Sequence, residues 1–290
     1  MIRSIGQVRA DLMTESSIEL LPSRILELSG VLPDLDRGSR VFVTWLPGVP
    51  FAEVLAACDL LKLCGYLSVP HVAARSIRDT EHLRNICAAL IERDIPRMLL
   101  IAGGADKPAG IFTDTVQVLE TEIPAQAGIR TVYVAGHPEG HPQASEKQLE
   151  QYLLRKQELA RAQGLNMQIV TQFCFDATPV LDWEKRLRAA GIRLPINLGV
   201  YGLTTPKTLV RYGLACGVGQ SLRFMQKQRW KLHRWFTPCN PKDLVDAIAG
   251  SIAETPDTLF HGLHFYPFGA IARTLEWRRN LSCSGTGEPS

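Results

Sequence analysis

No Cys-x-x-Cys pair occurs among the seven cysteines, Cys58, Cys64, Cys87, Cys174, Cys216, Cys239 and Cys283, which are scattered and odd in number. That argues against a disulfide framework and against a zinc or iron-sulfur cluster, and leaves buried or idle thiols. Long apolar runs are also missing. The N-terminus MIRSIGQVRADLM lacks the apolar core of a secretory signal, and no later stretch reaches the roughly 18 apolar residues of a membrane span. A cytoplasmic protein with no membrane partner is expected. An excess of one charge sign is absent too: 32 Lys+Arg against 29 Asp+Glu leave +3, too little to imply a nucleic-acid partner across the surface. The nucleotide fingerprint G-x-G-x-x-G follows none of the strand-like runs, which counts against an open doubly wound sheet.

What is present is a chain of 290 residues, 46% hydrophobic, long enough for a full core and near the upper limit for one domain. Short β-rich runs recur: SIELL (17–21), RVFVTWL (40–46), LSVPHVA (67–73), RMLLIAG (97–103), TVYVAGH (131–137), MQIVTQF (167–173), PINLGVY (195–201) and LHFYPF (263–268). Helical patterns such as FAEVLAACDLLKLCG, TEHLRNICAALIERD, SEKQLEQYLLRKQELARAQG and VLDWEKRLRAAG lie between most of them, several stopping at glycine. Alternation of this kind, eight-fold and in this length, predicts a single (β/α)8 barrel over residues 1–290, with 1–14 and about 280–290 as flexible ends. The segment RFMQKQRWKLHRW, Arg223 to Trp235, reads as a basic amphipathic surface helix, with a nucleic-acid or phosphate patch, or a lid, as alternatives.

Sites in such barrels gather at the C-terminal ends of the strands. Those ends carry Glu19, Thr44, His71, Gly103 and Gly104, His137 with Glu139 and His141, Gln172 with Asp176, Tyr201, and Tyr266 with Phe268. Carboxylates are few and the histidines are dispersed, so no metal site is expected. A carboxylate inside an apolar strand is costly to bury unpaired, which favours a polar site around Glu19. His264, inside its strand, reads as a packed core histidine. Paired glycines at 103 and 104 form a turn or let a planar ligand approach the backbone. The stretch VAGHPEGHPQA (134–144) stays open between metal site, catalytic loop and turn, because Pro138 and Pro142 disfavour the helix that would put both histidines on one face.

Six of these segments, in order, resemble the methylenetetrahydrofolate reductase family. SIELLP is similar to its Glu-Phe-Phe-Pro, FVTW to its Phe-Val-Thr-Tyr and VPHVAA to its Pro-His-Leu-Thr. GHPEGHPQA is similar to its Tyr-Pro-Glu-x-His-Pro-Glu-Ala, IVTQFCFD to its Ile-Thr-Gln-Phe-Phe-Phe-Asp and LHFYPF to its His-Phe-Tyr. The resemblance implies a flavin-dependent barrel that reduces 5,10-methylenetetrahydrofolate to 5-methyltetrahydrofolate, with FAD bound non-covalently and NADH or NADPH as electron source. It implies Glu19 as general acid and Gln172 and Tyr266 on the substrate. It also implies Thr44, His71, Gly104, Phe112, Ala135, His137, His141, Glu150 and Lys156 on the flavin, the two histidines of the open stretch thus cradling a cofactor rather than a metal.

Departures accompany the matches. The family's Arg-Gly-Asp after the fourth strand is here Gly103-Gly104-Ala105, so a carboxylate is missing unless Asp106 replaces it. LGVYG stands for Pro-Gly-Ile-x-Pro, Pro206 for a stacking phenylalanine, and Ala270 for a closing arginine. Weaker flavin binding is therefore expected. Flavin-free hydride transfer from nicotinamide, methyltetrahydrofolate oxidation and a non-catalytic folate- or flavin-binding subunit are the alternatives. The donor and homo-oligomerisation stay open.

Overall fold

The computed structural model describes residues 3–141, 143–205, 207–209, 211, 240–255 and 257–283, the side chains of 282 and 283 excepted. Its strands are β1 (Ser17–Leu20), β2 (Arg40–Val43), β3 (Leu67–Ala73), β4 (Arg97–Ile101), β5 (Thr131–Gly136), β6 (Asn166–Thr171), β7 (Ile196–Tyr201) and β8 (Phe260–Tyr266). They close a barrel in chain order, β1 through β8. Pairing is parallel, with Arg40 opposite Leu67, His71 opposite Leu99, Arg97 opposite Thr131 and Leu198 opposite Leu263. The (β/α)8 architecture expected from the alternation is therefore the observed one. β7 is buried along its whole length, as parallel strands covered on both faces are.

Among the described residues the α-helices are α1 (Ile5–Thr14), α2 (Pro22–Glu27), α3 (Phe51–Leu63), α4 (Thr80–Ile91), α5 (Thr115–Glu120), α6 (Ile123–Ala127), α7 (Glu146–Ala162), α8 (Ala177–Ala189), α9 (Lys242–Glu254) and α10 (Ile271–Cys283). Side-chain caps set several starts. Asp79 accepts from His82 N at 2.7 Å, Asp114 from Val116 N at 2.8 Å, and Asp176 from Thr178 N at 2.9 Å. At α7, Ser145 and Gln148 exchange bonds in a capping box. Glycines end α3, α7 and α8: Gly65, Gly164 and Gly191 take φ of +84°, +66° and +86°. Among the described residues no helix is long and apolar enough to cross a membrane.

The chain divides into two compact units. One comprises Ile18–Ala135 and Gln151–Ile169. Here Val41, Val43, Val69, Val72, Met98, Leu100, Val132 and Val134 are fully buried, and α2 packs on α3 and α4 on α6. The other comprises Met1–Ser17, Gly136–Glu150 and Val170–Ser290. Its α1 buries Val8, Leu12 and Met13 and packs on α9, α10 and β8. The segment 1–14, expected to be flexible, thus carries a helix with a capping box at Ser4 and Gln7 and a buried face. Arg278 of α10 reinforces it, donating to Ser16 Oγ at 2.7 Å and Met13 O at 3.4 Å.

Cys58, Cys87 and Cys174 are buried and Cys64 is half-buried, all as free thiols. Burial pushes Cys58 and Cys87 up to about 12, which keeps both thiols protonated and unreactive. Cys216, Cys239 and the basic segment Arg223 to Trp235 lie outside the described residues, as does residue 206.

Candidate active site

Glu19 lies in β1 and His71 in β3, with His71 Nε2 at 3.2 Å from Glu19 Oε2. Both side chains are largely withdrawn from solvent, 19% and 7% exposed, so the polar surrounding expected for the strand carboxylate is a histidine. Phe42 of β2 meets the His71 ring edge-on at 6.4 Å and Tyr133 of β5 at 5.0 Å, giving the pair an aromatic wall. Thr44, just past β2, is buried and donates from its N to Leu20 O at 3.1 Å and from Oγ1 to the same oxygen at 3.4 Å. It therefore also fastens the end of β2 to β1.

The loop after β4 is shaped by close approach. Gly103 has φ of +91°, and a Cβ there would stand 2.9 Å from Ala73 Cβ, whereas a Cβ at Gly104 would meet nothing within 4 Å. Gly110 is tighter still: a Cβ would fall 1.7 Å from Arg78 O. Arg75, in the turn after β3, ties this loop down. Its Nε donates to Thr113 O at 3.1 Å, its Nη1 to Ala105 O at 3.3 Å and its backbone N to Ala102 O at 2.9 Å. A guanidinium thus does reach the Gly-Gly-Ala segment, from the turn after β3. Ala105 is half-buried and Asp106 exposed. Phe112 is 3% exposed, part of the core beneath the loop.

Lys156 belongs to the buried stripe of α7 with Leu153 and Ala160, spaced three and four residues apart. Burial lowers its ammonium to about 8, and the Asp114 carboxylate opposes that shift. Asp114 is itself engaged as a cap at Val116 N and Gln117 N. Ala135 is half-buried near the end of β5.

In the other unit, the described part of HPEGHP is a turn. Gly140, at φ +86°, donates from its N to His137 O at 3.1 Å, and His141 bridges Ala144. The His137 and His141 rings are 4.8 Å apart and tilted by 59°. Among the described residues no group of three or more His, Cys, Asp or Glu is placed to hold a metal ion. Between the histidines, Glu139 Oε1 accepts from Phe175 N at 2.9 Å. Burial raises Glu139 to about 7, and the Phe175 and Asp176 N–H groups pull the other way. Glu150, by contrast, is drawn to α8, where Arg186 Nε lies 3.3 Å from Glu150 Oε1.

Gln172 follows β6, its N donating to Gly136 O at 2.9 Å and its Oε1 accepting from Phe173 N at 3.3 Å. Thr171 Oγ1 accepts from Gly199 N at 2.8 Å, and a Cβ at Gly199 would stand 2.5 Å from Thr171 O. Tyr266 Oη donates to Thr171 O at 2.9 Å, so Tyr266 braces the strand end that carries Gln172. Rings surround it: Phe173 meets Tyr266 at 5.6 Å and Phe268 at 4.9 Å, and Phe175 stacks on Tyr201 at 5.2 Å. Phe268 holds φ of +47°, an uncommon state for a bulky residue. Asp176 serves as the N-cap of α8. His264 is fully buried with Nδ1 2.8 Å from Ser17 Oγ, the packed core histidine expected.

The structure thus brings Glu19 to His71, sets Lys156 in the field of Asp114, and braces Thr171, the residue before Gln172, with Tyr266. Arg75 is not among the expected residues, and Glu139, which is, is held in a way the sequence does not show: both pair with backbone groups distant in sequence, which leave no local signal.

Among solved structures, the chain is similar at 10% identity to the apo form of a putative deoxyribose-phosphate aldolase from Toxoplasma gondii ME49, with 97% of each chain covered and a TM-score of 0.46. It is similar at 11% identity to a glycoside hydrolase family 20 β-N-acetylglucosaminidase, covering 94% of this chain and 69% of that one, with a TM-score of 0.43. Likeness at this level bears on neither fold nor function. A sequence-family match is more telling: the family described as methylenetetrahydrofolate reductase matches residues 56–229, more than half of the chain. That span includes His71, His137, Glu139, His141 and Gln172. The protein belongs to the methylenetetrahydrofolate reductase family, a family of folate-metabolism oxidoreductases.

Proposed function

We propose that the protein is a flavin-dependent reductase converting 5,10-methylenetetrahydrofolate to 5-methyltetrahydrofolate, with NADH or NADPH as electron donor. The observation that carries this reading is the Glu19 carboxyl in β1, withdrawn from solvent and 3.2 Å from His71 Nε2. A carboxyl so placed suits a general acid: it delivers a proton to the folate nitrogen whose departure opens the imidazolidine ring, leaving an iminium carbon to accept hydride. His71 orients the carboxyl between turnovers. Gln172, fixed by the Gly136 and Phe173 backbone, reads the pterin edge through its amide, and the Tyr266 ring lines the substrate side.

Bound FAD supplies the hydride chemistry between nicotinamide and folate. The residues fit such a group. Lys156 is a cation whose charge is disfavoured by burial, and an anionic phosphate would stabilise it. Gly104 leaves its Cβ position open to a planar ligand. Thr44, His71, Phe112, Ala135, His137, His141 and Lys156 are proposed to hold the flavin, non-covalently and weakly. Glu150 joins them only if it leaves Arg186.

A second reading, direct hydride transfer from nicotinamide to folate without flavin, is favoured by the loop after β4, where Ala105 stands in place of a carboxylate and Asp106 is exposed. Incubating flavin-free protein, with and without added FAD, with methylenetetrahydrofolate and NADH or NADPH separates the two. The proposed function requires FAD-dependent methyltetrahydrofolate formation. Formation without FAD supports the second reading, and no formation under either condition overturns both.

A further inference from the structure

One side chain joins the loop after β5 to the loop after β6. Glu139 Oε1 accepts the Phe175 N–H at 2.9 Å across 36 residues of chain, and the segments also meet where Gln172 N donates to Gly136 O at 2.9 Å. Phe175 is anchored further by stacking on Tyr201 at 5.2 Å, and Cys174 N donates to Gly199 O at 3.0 Å. The stretch from Gln172 to Phe175 is therefore held at both ends. Glu139 Oε2 is buried without a hydrogen-bond partner among the described residues. A carboxyl buried this incompletely satisfied is costly, and nothing in packing alone needs one.

The groups facing it are of several kinds. The Asp176 carboxylate disfavours its ionisation, and the Phe175 and Asp176 N–H groups favour it. The Cys174 thiol is buried and pushed well above its usual range, so it faces Glu139 as a neutral group. His137 and His141 share its loop.

We infer that Glu139 is a positioning residue for the folate site: its carboxyl latches the segment Gln172–Asp176 to the loop after β5 and so fixes the direction of the Gln172 amide. The inference rests on the folate reading of Gln172 given above. An ionised acceptor holds an N–H more strongly than a neutral one, so the latch tightens as Glu139 loses its proton, around about pH 7.

The test uses the full chain as wild type, Glu139→Ala and Glu139→Gln. Amide hydrogen exchange is followed in peptides covering residues 172–176 without ligand. Affinity for 5-methyltetrahydrofolate is titrated at about pH 6 and about pH 8. Expected for Glu139→Ala is faster exchange confined to that segment and a Kd raised about 10-fold, the equivalent of one lost hydrogen bond. Glu139→Gln should match wild type at the lower pH and bind several-fold more weakly at the higher, a split that a purely structural role would not produce. It carries the test if the alanine variant does not fold. Exchange unchanged by either variant overturns the latch, and faster exchange with an unchanged Kd overturns its role at the folate site. A wild type that binds no folate overturns instead the reading of Gln172, and the inference falls with it, whereas the exchange data still report the latch.

Discussion

His71 Nε2 stands 3.2 Å from Glu19 Oε2, a contact between the first and third strands that places an imidazole against a carboxyl behind the Phe42 ring. Glu19→Gln keeps the shape of that contact and removes the proton donor. Folding and FAD binding should persist while reoxidation of reduced enzyme by methylenetetrahydrofolate slows by about 100-fold or more, since general acid catalysis contributes roughly 10²- to 10⁴-fold. Separate half-reactions in a stopped-flow instrument check it, and an unaffected folate half-reaction removes Glu19 from the acid role.

Lys156 carries a stability signature of its own. Its folded value, about 8, lies below the ordinary lysine range, so the unfolded chain binds more protons between about 8 and that range, and stability rises with pH across the window. Lys156→Met should therefore be more stable than wild type near neutral pH, with the gap closing as pH rises above about 8. The same substitution should weaken FAD binding about 10-fold or more, and wild-type affinity should itself decline above about pH 8 as the ammonium is lost. Melting curves and flavin titrations over that range read both, and a variant less stable at neutral pH contradicts the account.

In the loop after β4, Ala105 is half-buried, Asp106 is exposed, and Arg75 Nη1 lies 3.3 Å from Ala105 O. Ala105→Asp should speed the folate half-reaction, because a carboxylate about 4 Å from a cationic carbon at an effective dielectric near 20 interacts by roughly 4 kcal/mol. Asp106→Asn should be neutral. Loss of activity in Asp106→Asn would instead assign the missing carboxylate to that residue.

Gly199→Ala places a Cβ 2.5 Å from Thr171 O and 2.7 Å from Gln172 O, so the end of β6 must shift. A cost of about 2 kcal/mol or more is expected, as for other overpacked sites, together with weaker folate binding through displacement of Gln172. Urea unfolding and folate titration measure the two effects, and a variant matching wild type in both shows that the strand end can yield.

The strands were legible wherever β-branched and aromatic residues run together, as in RVFV and INLGVY. β8 was legible only from Leu263 onward, because His261 and Gly262 interrupt its start. Gly262 is dictated by a backbone in another segment, where a Cβ would stand 2.4 Å from Glu15 O. The prolines of HPEGHP made its turn readable, but the burial of Glu139 was not, because its partner is a backbone N–H 36 residues away and such donors have no residue type. Arg75 was hidden for the same reason, since it holds carbonyls of Ala105 and Thr113. Glu19 could be singled out because a carboxylate in an apolar strand demands a partner, and the alternation alone placed His71 on the third strand, next but one to β1.

The central claim, a flavin that passes electrons from nicotinamide to folate, is tested most directly by the visible spectrum of FAD-loaded protein under anaerobic conditions. Adding NADH or NADPH should bleach the bound flavin, and adding methylenetetrahydrofolate should then restore its absorbance with stoichiometric formation of methyltetrahydrofolate. A flavin that bleaches but is not reoxidised by the folate, or a protein that binds no flavin and still makes methyltetrahydrofolate, would contradict it.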